Sequence, residues 1–268
     1  MRFGNWFEIG RMDELARQDT PVHRLDARAK LLATGAFIVA LMSFSRYEIS
    51  ALMPFCLYPF VLISLGRIPF GFIFRKIIIA APFAIIIGIF NPFFDRQPAL
   101  VIGSFAISGG WLSFASIIIR FGLTAGAALA LVACTGIYRL CAGLERMGLP
   151  RVFAVQLLFL YRYLFVIADE GSQMKRSLEL RATGLMPVGL RVYGSLVGHL
   201  LLRAMARSER IYQAMVARGF DGEIKIAQKT SFQSADWTFL FGWIFFFTVA
   251  RTWNISDWLG RMLAGSAP

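Results

Sequence analysis

Five stretches of this chain carry almost no charge: Lys30–Phe44, Tyr47–Gly66, Ile77–Phe94, Phe121–Tyr138 and Trp237–Ala250. Several approach the roughly 20 apolar residues a helix needs to cross the hydrocarbon core of a bilayer. In that medium every backbone polar group needs a partner inside the protein, which leaves only helices and closed barrels. The stretches lack the alternation of barrel strands. Composition agrees, with 57% apolar and 16% charged residues, where a soluble domain carries about a quarter charged. The expected fold is an all-α integral membrane protein: about five transmembrane helices plus a unit of long amphipathic helices on the cytoplasmic side.

The excess of 28 Lys+Arg over 16 Asp+Glu gives a net charge of +12. In a soluble chain that charge would invite a nucleic-acid reading. Here the cations sit in loops flanking apolar runs, where the positive-inside rule places them, and no nucleic-acid partner is expected. With the N-terminus cytoplasmic and each run crossing once, Met1–Lys30, Arg67–Lys76 and Arg139–Asp236 hold most of the basic residues on the inner side. The C-terminus is then outside. Met1–Gly10 has no charged start leading into an apolar core, so the first span is expected to act as the insertion signal. The expected organisation is a cytoplasmic segment (1–29), spans one to four (30–138), a cytoplasmic or membrane-surface helical unit (139–236), and a last span with an outer tail (237–268).

Some segments resist a simple reading. Ala99–Ser108 is too short to span as a helix, and with Gly103, Gly109 and Gly110 around it reads as an outer hairpin or re-entrant turn. Arg120 interrupts the fourth run and is expected to snorkel outward rather than face the bundle. Val152–Ala168, with Gln156 and Arg162 inside, reads as a membrane-embedded or surface-lying helix. The lead-in His23-Arg24-Leu25-Asp26-Ala27-Arg28-Ala29-Lys30 presents cations suited to lipid headgroups.

Between Asp169 and Asp236 two helices are legible. One runs from about Leu164 to Arg181 and ends in Ala182-Thr183-Gly184. The other runs from about Leu190 to Arg218 and ends in Gly219-Phe220. Each stops with Gly followed by an apolar residue, the pattern of a Schellman-type stop. The second carries Arg191, Arg203, Arg207, Arg210 and Arg218 among Leu196, Leu200, Met205, Ile211 and Met215. It is too polar for lipid and too apolar for free solvation, so it lies against its own bundle, a membrane face or a partner.

Ala217-Arg218-Gly219, within Ala214–Gly222, resembles one of two Ala-Arg-Gly signatures in the transmembrane (T) components of energy-coupling factor transporters, and is similar to the cobalt and nickel branch, the CbiQ type. The lead-in His23–Leu32 resembles the pattern before the first span in the same family, and the likeness covers nearly the whole chain. At the upstream signature Thr183 stands where the family has Arg, within Arg181-Ala182-Thr183-Gly184. Arg181, two positions earlier, could take over its contact, or this first site is weaker.

The resemblance implies that two cytoplasmic ATPase subunits receive the helix ends in grooves and that a membrane-embedded substrate-binding (S) subunit is moved in turn. It implies docking through Ala217, Arg218, Gly219, Phe220 and Met215, and through Arg181, Ala182, Thr183 and Gly184. An Arg fork pairs bidentately with carboxylates, and Gly lets the chain turn away at once. Phe220 and Met215 would add apolar anchoring area beside the Arg.

The sequence has no GxxxxGK[ST] loop, so ATP hydrolysis is expected of partners and the chain itself is not expected to be an enzyme. No cofactor is implied. His23 and His199 are the only histidines and the acidic residues are dispersed, so no metal site is expected. Cys56, Cys134 and Cys141 have no CxxC spacing and read as small buried residues. Cobalt or nickel is the expected cargo, with a vitamin such as biotin second. Outside the family, a lipid-modifying membrane enzyme would need a polar cluster around Asp169 and Glu170, and a secondary transporter would need inverted repeats.

Overall fold

The computed structural model describes residues 12–45, 50–94, 98–102, 105–181, 189–220 and 232–252. The elements in chain order are α1 (Pro21–Arg24), α2 (Ala27–Met42), a 3-10 turn (Ser50–Cys56) running into α3 (Leu57–Leu65), α4 (Phe70–Gly88), α5 (Asn91–Phe94), β1 (Pro98–Ile102), β2 (Phe105–Ser108), α6 (Gly109–Thr135), α7 (Ile137–Arg146), α8 (Arg151–Arg181), α9 (Leu190–Ala217) and α10 (Ser234–Thr252). Among the described residues the protein is helical apart from one antiparallel hairpin, β1 with β2, which falls where Ala99–Ser108 reads as an outer hairpin or re-entrant turn. The chain divides into two compact units, Arg11–Gly143 with Lys229–Pro268, and Met1–Gly10 with Leu144–Gln228.

Helices α4, α6 and α8 are long and apolar enough to cross a membrane, and Ser50–Leu65 is a shorter apolar segment. Each expected run meets helix, with shifted ends. α4 starts at Phe70, so Arg75 and Lys76 belong to its first turns rather than to a loop. Lys76 sits over the Phe72 ring at 5.7 Å, an apolar stem with a cationic tip of the kind interfaces tolerate. α6 begins at Gly109 and stops at Thr135, where Gly136 takes φ +75°. Val152–Ala168 and the helix read as 164–181 are one continuous 31-residue helix. Gln156 and Arg162 do not break it, because a polar side chain on one turn costs a helix little of its backbone bonding.

In the first unit the core is aromatic. Phe37 from α2 stacks on Tyr58 from α3 at 4.9 Å, and Phe55 stacks on Phe247 from α10 at 5.8 Å. Tyr58 also meets Trp243 edge-on at 4.8 Å. Its hydroxyl lies 2.7 Å from Thr34 Oγ1, which donates to the Lys30 carbonyl. Tyr58 is therefore the donor to Thr34. Gly66, at the C-terminal end of α3, lets α3 and α6 meet: a Cβ there would lie 2.6 Å from Leu62 O and 2.7 Å from Cys134 Sγ.

In the lead-in to α2 one cation, Lys30, departs from the headgroup-anchor expectation. Lys30 is fully buried, and its Nζ donates to the Cys134 carbonyl at 3.1 Å. That carbonyl is exposed for bonding because α6 ends there and the last turn of a helix has no onward donors. Asp26 caps α2, accepting from the Arg28 backbone N–H at 2.8 Å. The buried Asp236 carboxylate at the start of α10 accepts from the Asp26 N–H at 2.7 Å and the Gln233 N–H at 2.8 Å. Arg24 alone faces outward, paired with Asp19 at 2.7 Å, and the guanidinium holds that carboxyl below its usual range.

His23 is buried in the same region. Its Nε2 donates to Leu15 O at 3.0 Å, which leaves Nδ1 to accept from Thr20 Oγ1 at 2.7 Å. Burial pushes its pKa below the ordinary 6.5. Arg120 reaches the end of the first apolar run, donating to Phe44 O and to Ser45 O at 2.6 Å. It binds the terminal carbonyls of a neighbouring segment.

Candidate coupling site

Helices α8 and α9 pack antiparallel: their partners run from Arg181 with Val192 at one end to Phe159 with Met215 at the other. Where they touch, Glu170 of α8 accepts from Arg207 Nη2 at 2.6 Å and lies 3.6 Å from Arg203 Nη1. Arg203 and Arg207 are four residues apart, so one face of α9 presents both to the same carboxylate. Beside this pair, a Cβ on Gly171 would meet Leu200 at 3.3 Å.

The end of α9 is built as its sequence suggests. Phe220 N–H bonds Met215 O at 3.0 Å, and Gly219 N–H bonds Val216 O at 2.9 Å, the paired reversed bonds of a Schellman stop. Gly219 carries the φ of +77° this turn requires, which glycine adopts without a Cβ penalty. The chain thus leaves the helix axis directly after Arg218, and the Ala217, Arg218 and Gly219 positions are all exposed. A cation here also faces the negative end of the helix dipole.

Met215 and Phe220 are the residues expected to add apolar anchoring area beside Arg218. Both are half-buried, and they line an apolar cavity of about 320 Å³ with Phe159, Tyr163 and Ile211. They pack the helix end against α8. Arg181 is the exposed last residue of α8 and lines a separate polar cleft of about 680 Å³ with Ser177, Ser195 and His199. Ala182, Thr183 and Gly184 lie outside the described residues. Arg181 and Arg218 are therefore at opposite ends of the helix pair, not gathered at one point.

Glu170 is the group that sequence reading undervalued. As one of two adjacent acidic residues it reads as a helix-capping or solvated group. The signal lay on the other helix, in the Arg203/Arg207 spacing. Among the described residues, no three His, Cys, Asp or Glu side chains converge as a metal site.

Residues 18–231 match the family described as cobalt transport protein, CbiQ. The chain belongs to this family. It is 27% identical over 172 residues to the cobalt transport protein CbiQ of Salmonella typhimurium, covering 59% of this chain and 70% of that one. To the nickel permease LarQ of Lactiplantibacillus plantarum it is 29% identical over 141 residues, 47% of this chain and 52% of that one. To the energy-coupling factor transporter transmembrane protein EcfT of Heliobacterium modesticaldum it is 26% identical over 220 residues, 76% and 81% of the two chains. The aligned part ranges from 32% to 81% of the length of the curated relatives it matches, and falls under two thirds for several of them. Family and apolar helices together make the chain a multi-pass membrane protein of the CbiQ/EcfT type, a class of transporter component rather than of enzyme.

Proposed function

We propose that this chain is the transmembrane scaffold of an energy-coupling factor importer, transmitting ATP-driven motion from two cytoplasmic ATPase subunits to a membrane-embedded substrate-binding subunit. The observation that carries the reading is the end of α9. An exposed Arg218 stands at the C-terminus of a long amphipathic helix whose chain turns away at Gly219. That geometry suits insertion of a rigid, permanently charged fork into a groove lined with carboxylates. Arg181, exposed at the end of α8, is the second docking point and substitutes for the signature Arg absent at Thr183.

The cargo we propose is a divalent metal, cobalt or nickel. Relatives with cobalt transport and nickel permease in their names support it, and the substrate itself is bound by the S subunit. The proposed topology puts the N-terminus and the α8–α9 unit on the cytoplasmic side, where the basic excess is favoured, and the C-terminus outside. Proteoliposomes holding the whole complex test the reading. Arg218→Ala should keep the chain folded and depress uptake of radiolabelled cobalt or nickel per ATP hydrolysed, and Arg181→Ala should do so less. Normal transport by both variants would remove the docking assignment.

A further inference from the structure

The two cavities along the seam of α8 and α9 adjoin, and their chemistry is opposite. The cleft of about 680 Å³ runs from Val166 and Arg207 to Arg181 and Val192, and most of its lining side chains are polar. The cavity of about 320 Å³ runs from Ile167 and Arg207 to Phe159 and Met215, and most of its lining is aromatic or aliphatic. Arg207 is a wall of both. The change falls where α8 itself changes, from Leu164-Phe165-Val166-Ile167-Ala168 to Asp169-Glu170. α8 is long and apolar enough to cross a membrane. An apolar space that opens into a polar one is the shape of a site for an amphiphile, with acyl chain at one end and headgroup at the other.

Charge narrows the headgroup. The cleft is lined by three guanidinium groups, Arg181, Arg203 and Arg207, and by two carboxylates, Asp169 and Glu170. Glu170 accepts from Arg207 Nη2 at 2.6 Å and lies 3.6 Å from Arg203 Nη1, while Asp169 accepts from Gln173 Nε2 at 3.0 Å. The lining therefore has a surplus of one positive charge. Arg207 Nε is buried without a hydrogen-bond partner among the described residues. A buried donor left unsatisfied is costly, and an acceptor oxygen reaching it from the cleft removes that cost. Guanidinium groups take phosphate oxygens as readily as carboxylate ones. A phosphodiester carries one negative charge and balances the surplus. A phosphate monoester would bring close to two charges beside Glu170.

We propose that the α8–α9 seam binds one monoanionic glycerophospholipid of the phosphatidylglycerol kind. Its phosphodiester accepts from Arg207 Nε with Arg203 beside it. The glycerol of the headgroup lies in the polar cleft, where Ser195 and His199 offer hydrogen bonds. One acyl chain fills the apolar cavity against Ile167, Ile211 and Met215. Basic pockets between the helices of membrane proteins take anionic headgroups on the same electrostatic grounds. A zwitterionic lipid would leave the surplus charge unbalanced, and a soluble phosphodiester would gain nothing from the apolar cavity. The site does not require the docking role of Arg181 or Arg218.

Native mass spectrometry of the full chain in detergent tests the site, with phosphatidylglycerol or phosphatidylethanolamine of the same acyl chains added. Wild type should retain one phosphatidylglycerol about tenfold more tightly than phosphatidylethanolamine, the worth of one charge-assisted hydrogen bond. Ala204→Phe fills the apolar cavity without touching a charge, and should weaken phosphatidylglycerol retention about tenfold. Glu170→Gln with Arg207→Gln removes the Nε donor, leaves no buried charge unpaired and keeps the surplus charge; it should erase the preference between the two lipids. Phosphatidylglycerol should also raise the unfolding midpoint of wild type and leave that of both variants unmoved. Equal retention of the two lipids by wild type would overturn the site. So would wild-type retention of phosphatidylglycerol by either variant with its fold intact. Displacement of the lipid by an equal concentration of soluble glycerol 1-phosphate would reduce the site to its headgroup end and overturn the two-cavity reading. Should one variant fail to fold, the other decides; should both fail, the wild-type comparison of the two lipids does.

Discussion

The unit around α2, α3, α6 and α10 and the unit formed by α8 and α9 hold themselves together by different means. In the first, Phe37, Phe55, Tyr58 and Phe247 interlock, and Lys30, Asp26 and Asp236 are buried with their hydrogen bonds made. In the second, two long helices are joined by the Glu170–Arg207 ion pair and the close approach of Leu200 to Gly171, with a polar cleft and an apolar cavity along their seam, and α9 leaves Val197, Leu201, Leu202 and Met205 more than half exposed. Interiors packed to crystal density transmit strain but tolerate little change of shape. A pair of helices with open space along its seam has room to change its spacing. The comparison teaches that the first unit suits the role of frame and the second the role of lever.

Substitutions should expose this contrast, most strongly in the aromatic core. Phe37→Ala removes a fully buried ring that touches three others, and should cost about 3–5 kcal/mol, read as a fall in the thermal unfolding midpoint in detergent. Gly66→Ala should cost about 1–3 kcal/mol by overpacking, since the new methyl meets the Leu62 carbonyl. In the lever unit, Gly219→Ala meets no atom within 4 Å but is held at φ +77°, so it should cost only about 1 kcal/mol of backbone strain. It should nevertheless impair coupling more than Gly66→Ala does, because it re-aims Arg218. Equal thermal effects at Gly66 and Gly219 would erase the distinction between the units.

The smallest expected effect is a pH dependence. His23 is buried neutral with a lowered pKa, so the unfolded chain binds a proton first as pH falls. The stability this contributes is complete above about 6.5 and is lost as pH drops below that value toward the folded pKa. His23→Gln should flatten the fall in unfolding midpoint between about pH 6.5 and 5. An unchanged slope would place the acid sensitivity elsewhere.

Much of the lever unit was legible in the sequence because its signals are local. Gly219 after Arg218 announces a helix stop within four residues, and the stop is built as that pattern predicts. The hairpin at Pro98–Ser108 likewise follows from flanking glycines and a run too short for a spanning helix. Lys30 was misread as a headgroup anchor because its partner, the Cys134 carbonyl, is distant in sequence and is freed only by the break at Gly136. The same holds for Asp236, whose use depends on the Asp26 N–H across the fold. Glu170 was visible but mute, since only the antiparallel register of α8 and α9 sets it opposite Arg203 and Arg207. The continuity of α8 was hidden by Gln156, Arg162 and Asp169, which dilute an apolar run without breaking a helix.

The central claim is that the end of α9 docks an ATPase pair. A detergent pull-down of the tagged chain, expressed with its neighbouring genes, tests it by comparing wild type with Arg218→Glu. The account predicts that an ATPase pair co-purifies with wild type and is lost from the variant, while both chains remain monodisperse. An ATPase pair retained in full by Arg218→Glu, or absent from monodisperse wild type, would contradict it.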